Sequence, residues 1–295
     1  VSVGFLLNDS EISDIQIYSS QIKVTKMSYE EADRVLRENT SLFKLNELAK
    51  DHKKYRDSNG AIRLDFPKTD IKVKDHKVIA IMQLESESRL MVSEMMVIAG
   101  RVVAQFSTEN NIPMPYLSQE SGKFSDEIIE NINNLSLSKM FQAAKGFSRS
   151  KLSVKPSLHA GLGLNAYLRV TSPMRRYMDL LAQQQLVCYI SKLELLNEKE
   201  IKDRIKVINS TISKINKANR QSIEHFRCLF FKQNRGWKGE GILVDKIGNK
   251  ALVMISEFAM ITQIKLKTKF DLEDKIKLQV GSIDIYKRLI DFKPL

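Results

Sequence analysis

Thr171-Ser172-Pro173-Met174-Arg175-Arg176-Tyr177 is the stretch on which the reading of this chain turns. Ser172-Pro173 is a helix-start signal, because proline's fixed φ suits a first turn that makes no use of its missing N–H. The residues from Arg175 to Leu193 are spaced as the helix that follows. Consecutive helical residues diverge by about 100°, so Arg175 and Arg176 cannot both point at one atom. One guanidinium can clamp a phosphate at the helix start, where bidentate contacts and a permanent charge suit it, while its neighbour contacts a strand or the backbone. Structural salt bridges account for the pair equally well on spacing alone.

The charge around this stretch has one sign. Between Glu130 and Asp179 no acidic residue occurs, while Lys139, Lys145, Arg149, Lys151, Lys155, Arg169, Arg175 and Arg176 do. A solvated face normally mixes signs, so a one-signed run of this length suggests a path lined for phosphates. The net charge of +12 points to a polyanionic partner as well, although overall charge is the weaker signal.

Upstream lies an irregular stretch containing His159-Ala160-Gly161-Leu162-Gly163, and before it two short helices are expected near Ser125–Asn133 and Ser136–Lys145. From Glu87 to Glu109 a broad stripe of Met91, Met95, Ile98 and Val102, widened by Val92, Met96, Ala99 and Val103, predicts a largely buried helix with Glu94 and Arg101 on its edge. Ile112-Pro113-Met114-Pro115 ends it. Nearer the N-terminus, strands are expected at Val1–Leu7 and Ile15–Thr25 around an Asn8-Asp9-Ser10 turn. A capping box at Ser28 opens a helix to about Glu38, and a second helix covers Ser41–Tyr55. Strands at Ile62–Phe66 and Ile71–Ile81 follow the Asn59-Gly60 turn. Downstream, Ile201, Ile205, Ile208, Ile212, Ile215 and Asn219 fall at alternating spacings of four and three on a helix from Glu198 to Lys232. That seam should pack on a partner helix and turn Asn219 inward. After Gly236 about five short strands, at Gly241–Lys246, Lys250–Ser256, Thr262–Leu266, Lys275–Val280 and Tyr286–Phe292, suit a small OB-type barrel.

The 295 residues are enough for one large domain and a small one. The most apolar run, Leu90–Ala104, is interrupted by Glu94 and Arg101, so no membrane span is expected. Cys188 and Cys228 sit among apolar residues and read as reduced thiols, which makes a cytoplasmic location the default. Val1-Ser2-Val3-Gly4-Phe5 reads like the middle of a strand, as in a piece of a longer protein. Several enzyme motifs are missing. Gly161-Leu162-Gly163 lacks the third glycine of a dinucleotide fingerprint, and no phosphate-binding loop with its lysine occurs. Ser172 has no identifiable base and is expected to cap a helix. Glu30-Glu31 and Asp126-Glu127 lie in first helical turns, where the helix dipole explains them.

His159-Ala160-Gly161-Leu162-Gly163-Leu164, then Tyr167, then Thr171 to Leu180, resembles the signature of the ribonuclease II (RNB) family. Leu90–Gly100, with Glu94, resembles a characteristic helix of that family, and Ile112–Gln119 the segment after it. The resemblance implies an α+β chain: the C-terminal part of a ribonuclease II-type catalytic domain (a mixed sheet with packed helices) over 1–234, then a small OB-fold RNA-binding β-barrel over 235–295. It implies a monomeric, processive 3′-to-5′ exoribonuclease that hydrolyses single-stranded RNA to nucleoside 5′-monophosphates with magnesium. Arg175 matches the arginine that supports the reacting phosphate. Arg176, Tyr177, His159, Arg169, Glu94, Asn219 and Arg220 are carried over to the RNA path or its support.

Departures accompany the match. The family's cluster of metal-binding aspartates is absent, and its Tyr-Arg after the proline pair is Tyr116-Leu117 here. Its His-Arg is Gln183-Gln184, and its glutamate on the long helix is Asn219. The isolated chain is therefore expected to bind RNA weakly and cleave nothing. A non-catalytic RNA-binding protein that keeps the fold is the alternative, and a protein-interaction domain a third.

Overall fold

The computed structural model describes the whole chain except residues 9, 125–127, 129–134, 249 and 266–269. Apart from Ile128, the helix expected near Ser125–Asn133 lies outside the described residues. So do the Asp126-Glu127 pair, Asp9 of the expected Asn8-Asp9-Ser10 turn, and Leu266.

In chain order the elements begin with β1 (Ser2–Asn8), β2 (Glu11–Tyr18), α1 (Tyr29–Val35) and α2 (Thr40–Ser58). Next come β3 (Lys68–Lys74), β4 (Lys77–Gln83), α3 (Glu87–Glu109), β5 (Tyr116–Ser118), α4 (Leu137–Gly146) and β6 (Lys151–Ser153). Two helices follow, α5 (Tyr177–Ile190) and α6 (Glu198–Gln233). The last five strands are β7 (Lys238–Ile247), β8 (Lys250–Ile255), β9 (Met260–Lys265), β10 (Lys275–Asp284) and β11 (Leu289–Pro294). They form two compact units, and each is assembled from separated stretches. One comprises Val1–Ile62, Glu85–Gly122 and Ser148–Ser210; the other comprises Arg63–Leu84, Lys123–Phe147 and Thr211–Leu295. The two compact units thus interleave along the chain.

In the first unit β1 and β2 pair antiparallel with Ser2 opposite Tyr18. The second strand ends at Tyr18 instead of running to Thr25. The capping box of α1 forms as expected: the Ser28 hydroxyl accepts from the Glu31 N–H at 3.1 Å, and the Ser28 N–H donates to the Glu31 carboxylate at 2.7 Å. The core is built on α3, which buries Met91, Ile98, Val102, Val103 and Ala104. By length and composition alone α3 could cross a bilayer, which the sequence reading did not anticipate. Here two of its sides are packed, Ile98 and Val102 against the β1–β2 hairpin, and Val103 and Ala104 with Met114, Leu168, Ala182 and Leu186. Each such fully buried Ile, Val, Leu or Met side chain contributes roughly 1.5–3 kcal/mol, and an alanine methyl less.

The expected seam of α6 holds for its first part only. Ile201, Ile205 and Ile208 pack on Met178 and Leu181 of α5. Farther along, Ile212 and Ile215 are 44% and 49% exposed. Asn219 is exposed too, correcting the expectation that it faces inward. An α-helix rises about 1.5 Å per residue, so α5 spans about 21 Å and α6 about 54 Å. The partner helix is too short to cover the seam.

In the second unit the last five strands form one antiparallel sheet in the order β11-β10-β7-β8-β9, with β9 and β11 brought against each other so that it nearly closes. This is the expected OB-like barrel. Its core includes Leu243, Val253, Ile255, Phe258, Ile276, Leu278 and Phe292. Phe231, from the end of α6, is fully buried among them. The β3–β4 hairpin belongs to this unit. It turns at Asp75-His76, both with positive φ, within the single strand expected from Ile71 to Ile81.

Candidate nucleic-acid interface

Tyr167 to Val170 runs extended, and its alternation is strict where it matters: Leu168 and Val170 are buried while Arg169 between them is exposed. Side chains of an extended chain point alternately to opposite faces, so anchoring the two apolar residues turns Arg169 outward. The backbone is pinned as well. Leu117 N–H donates to the Tyr167 carbonyl at 2.8 Å, and Gln183 Nε2 donates to the Val170 carbonyl at 2.7 Å. The Leu117 bond is made by the main chain, whereas Gln183, one of the departures from the family pattern, holds this strand-like segment through its side chain.

A tight turn follows. The amide N–H groups of Arg175 and Arg176 both donate to the Ser172 carbonyl, at 3.3 and 3.0 Å, and α5 begins at Tyr177 with Arg176 as its cap. Ser172 therefore does not cap the helix through its side chain as expected; its hydroxyl lies 3.3 Å from Arg175 Nη2. Asp179, fully buried, accepts the Ser172 N–H at 2.9 Å and Arg176 Nη2 at 2.6 Å. The paired arginines therefore differ in their surroundings. Arg176 is committed to the Asp179 carboxylate, whereas Arg175 is exposed with only a hydroxyl beside it. Tyr177 stands at the helix start, half-exposed, its hydroxyl accepting from Arg204 Nη1 at 2.6 Å.

His159 lies behind this surface. It is buried, its ring meets that of Tyr167 edge-on at 5.7 Å between centroids, and its Nδ1 has no partner. Burial, with the charges of Arg169 and Arg56 adding to it, pushes its pKa down to about 4, against the opposing effect of its backbone hydrogen bond. The ring is neutral at pH 7 and supports Tyr167 rather than meeting solvent.

Glu94 is also interior, at 2% exposure, and it organises a cluster the sequence did not reveal. Arg56 Nε donates to its Oε2 at 3.0 Å and Arg56 Nη2 to its Oε1, while His52 Nδ1 lies 3.1 Å from Oε2. Burial alone would raise the Glu94 pKa, but the bonds and charges of His52 and Arg56 outweigh it and hold the carboxylate below its ordinary value. Burial drives the His52 pKa the other way, downward, so the neutral ring donates to Glu94 from Nδ1. Arg56 Nη1 then reaches the Leu162 carbonyl at 3.3 Å, tying the cluster to the turn that carries His159. Gly163 closes that turn at φ +62°, with the Arg56 carbonyl 2.6 Å from where a Cβ would sit. Only glycine fits there. The isolated clue in the sequence was Gly163; the pairing of Arg56 with Glu94, 38 residues apart, had no local signal.

Within the acid-free stretch, ion pairs among the described residues neutralise Lys145 by Asp245, Lys151 by Glu120 and Arg176 by Asp179. Arg149, Lys155, Arg169 and Arg175, all in the first unit, are exposed and make no ion pair among the described residues. Asn219 and Arg220 are exposed in the second unit. Among the described residues no three His, Cys, Asp or Glu side chains are grouped so that they could hold a metal ion. The described residues do not fit a magnesium site.

A family model for the RNB domain matches residues 2–192. An uncharacterized ribonuclease of Synechocystis is 27% identical over 311 aligned positions, covering 100% of this chain and 46% of its own length. In fold, the chain is similar to Mycoplasma genitalium RNase R in complex with ribose-methylated single-stranded RNA, with a TM-score of 0.76 at 18% identity over 98% of this chain and 56% of that one. It is also similar to yeast Ssd1, a pseudonuclease, with a TM-score of 0.64 at 15% identity over 92% of this chain and 39% of that one. At such identities the likeness concerns fold alone. The chain spans about half the length, or less, of these relatives.

Proposed function

Since the chain belongs to the RNB-domain family, we propose that it is part of a ribonuclease II-type exoribonuclease and that Arg169 to Tyr177 is where it holds RNA. Family membership supports 3′-to-5′ exoribonuclease activity in general. The finer reading is that the substrate is single-stranded RNA, degraded to nucleoside 5′-monophosphates, and that residues 1–234 and 235–295 correspond to the family's catalytic and OB-fold domains. The observation that carries the RNA reading is the division of labour at the turn: Asp179 engages Arg176 and leaves Arg175 exposed and, like the exposed Arg169 earlier in the same segment, without an ion pair among the described residues. An uncommitted guanidinium fixed on a short, pinned turn can meet a phosphate without reorganising, and groups of that kind stabilise charge developing on a reacting phosphoryl oxygen.

Magnesium would supply the attacking water in such a reaction. The described residues offer no group of ligands for it, and their part in this reading is to bind and orient the RNA backbone. The test is binding of a labelled single-stranded RNA by the chain across a salt series. Each phosphate contact contributes about 0.7 to the slope of log affinity against log salt, so Arg169→Ala with Arg175→Ala should lower the slope by roughly 1.4. An unchanged slope would discard the interface, and magnesium-dependent release of mononucleotides by the chain alone would discard its inactivity. A second reading, an RNA-binding protein that keeps the fold without catalysis, is favoured by the absence of a metal-ligand group among the described residues.

A further inference from the structure

Arg204, on α6 in the first unit, lies outside every motif of the sequence, yet the fold sets it beside the turn that carries Arg175. Its Nη1 donates to the Tyr177 hydroxyl at 2.6 Å, and Tyr177 is two residues along from Arg175. The stretch of helix that delivers it is anchored on both sides. Ile201, three residues earlier, and Ile205, the next residue, are buried against Met178 and Leu181 of α5. At about 100° per residue Arg204 falls on the edge of that packed face, bordering α5, and its side chain is exposed.

The start of α6 is acidic, and still no carboxylate answers this cation. Glu198 pairs with Lys202 at 3.5 Å, and Asp203 with Lys206 at 2.8 Å. Glu200 accepts the Asn197 N–H at 2.8 Å, while its own N–H donates to the Asn197 side chain at 3.1 Å. Arg204 makes no ion pair among the described residues. The partner it has is a phenol, which is neutral at pH 7 and takes one of the five guanidinium N–H donors. Its position is thus fixed by a contact that leaves its charge uncancelled. A guanidinium with donors and charge to spare suits a phosphate, whose oxygens it can meet bidentately.

We propose that Arg204 is a further RNA-contact residue, its guanidinium meeting a phosphate of the strand that Arg175 engages, so that the interface runs from the turn onto the first part of α6. The inference rests on the reading of Arg169 to Tyr177 as the surface that holds RNA, and the test separates the two. Binding of a labelled oligouridylate by the chain is measured across a salt series for the wild type, Arg204→Gln, Arg204→Lys, Lys202→Gln and the Arg169→Ala, Arg175→Ala double variant. Arg204→Gln should lower the slope of log affinity against log salt by about 0.7, the share of one phosphate contact, and Arg204→Lys should restore it. Lys202→Gln removes a nearby cation that Glu198 already neutralises, and it should leave the slope unchanged. Because Arg204 and Lys202 are exposed, these variants keep the fold, which urea unfolding of each checks. A slope unmoved by Arg204→Gln but lowered in the double variant overturns the role of Arg204 and leaves the surface standing. A slope moved by neither overturns both. An equal fall with Lys202→Gln would mean that the helix acts through its general charge, and overturns the contact as well.

Discussion

His159 holds a proton far less readily in the folded chain than it would in the open: its pKa falls from the ordinary 6.5 to about 4. Between those values the unfolded chain takes up a proton that the folded chain refuses, so stability is retained above about pH 6.5 and is lost as pH falls toward 4. Integrated over that window, the loss approaches 3 kcal/mol. His52, also buried with a lowered pKa, adds to it in the same direction. Urea unfolding of the wild type at successive pH values should give free energies that decline in acid, and His159→Gln should flatten the decline without abolishing it. A second residue-scale prediction concerns Gly100. A Cβ there would lie 2.3 Å from the Leu168 carbonyl and 2.4 Å from the Tyr167 ring, and the first of these contacts is backbone. Alanine gains up to about 1 kcal/mol in helix propensity, but overpacking of this kind costs typically 1–3 kcal/mol, so the clash should win. Gly100→Ala is expected to lower the unfolding midpoint and, by displacing Tyr167 to Arg169, to weaken RNA binding in the same preparation.

At the scale of elements, α6 separates what a pattern predicts from what packing decides. Ile205 is buried against α5, so Ile205→Ala should cost about 2–4 kcal/mol. Ile212→Ala, on the same seam but exposed, should cost under about 1 kcal/mol. Chemical denaturation of the two variants checks the difference; equal costs would mean that the seam is covered along its length. The spacing of isoleucines showed which side of α6 is apolar, but the length of its partner lies in another segment. The same limit explains the other misses. The capping box at Ser28 and the barrel strands were legible because caps, alternation and glycine turns act within a few residues. The Asp75-His76 turn was not, since neither residue is glycine and its positive φ angles are imposed by the pairing of β3 with β4. In the candidate site, Arg175 was legible as a motif residue. Its freedom was not, because that depends on Asp179 choosing Arg176.

At the scale of the whole molecule, the interleaving of the two units bears on how the chain can be divided. Phe231 fills the barrel core, with rings of Phe258, Trp237 and Phe292 between 4.6 and 5.3 Å away. A piece comprising 235–295 would lack that side chain and expose the hole it fills. Losing a buried phenylalanine side chain costs about 3–5 kcal/mol, a large share of what a domain of sixty residues can muster. Circular dichroism of that piece should show no cooperative melting, whereas a fragment containing the other stretches of the unit as well should melt cooperatively.

Assembly from distant stretches also sets a timetable. The β3–β4 hairpin gives Ala80 to the barrel core, and Thr69 donates a hydrogen bond to the Glu257 carbonyl. The hairpin ends at Gln83, yet the barrel is complete only with Pro294, 294 − 83 = 211 residues later. At roughly 5–20 residues per second, a ribosome would leave the hairpin waiting about ten to forty seconds for its partners. Through that interval its apolar face and strand edges stay open to other nascent chains, so the cell's supply of holding chaperones, as much as the final fold, governs the yield of native protein.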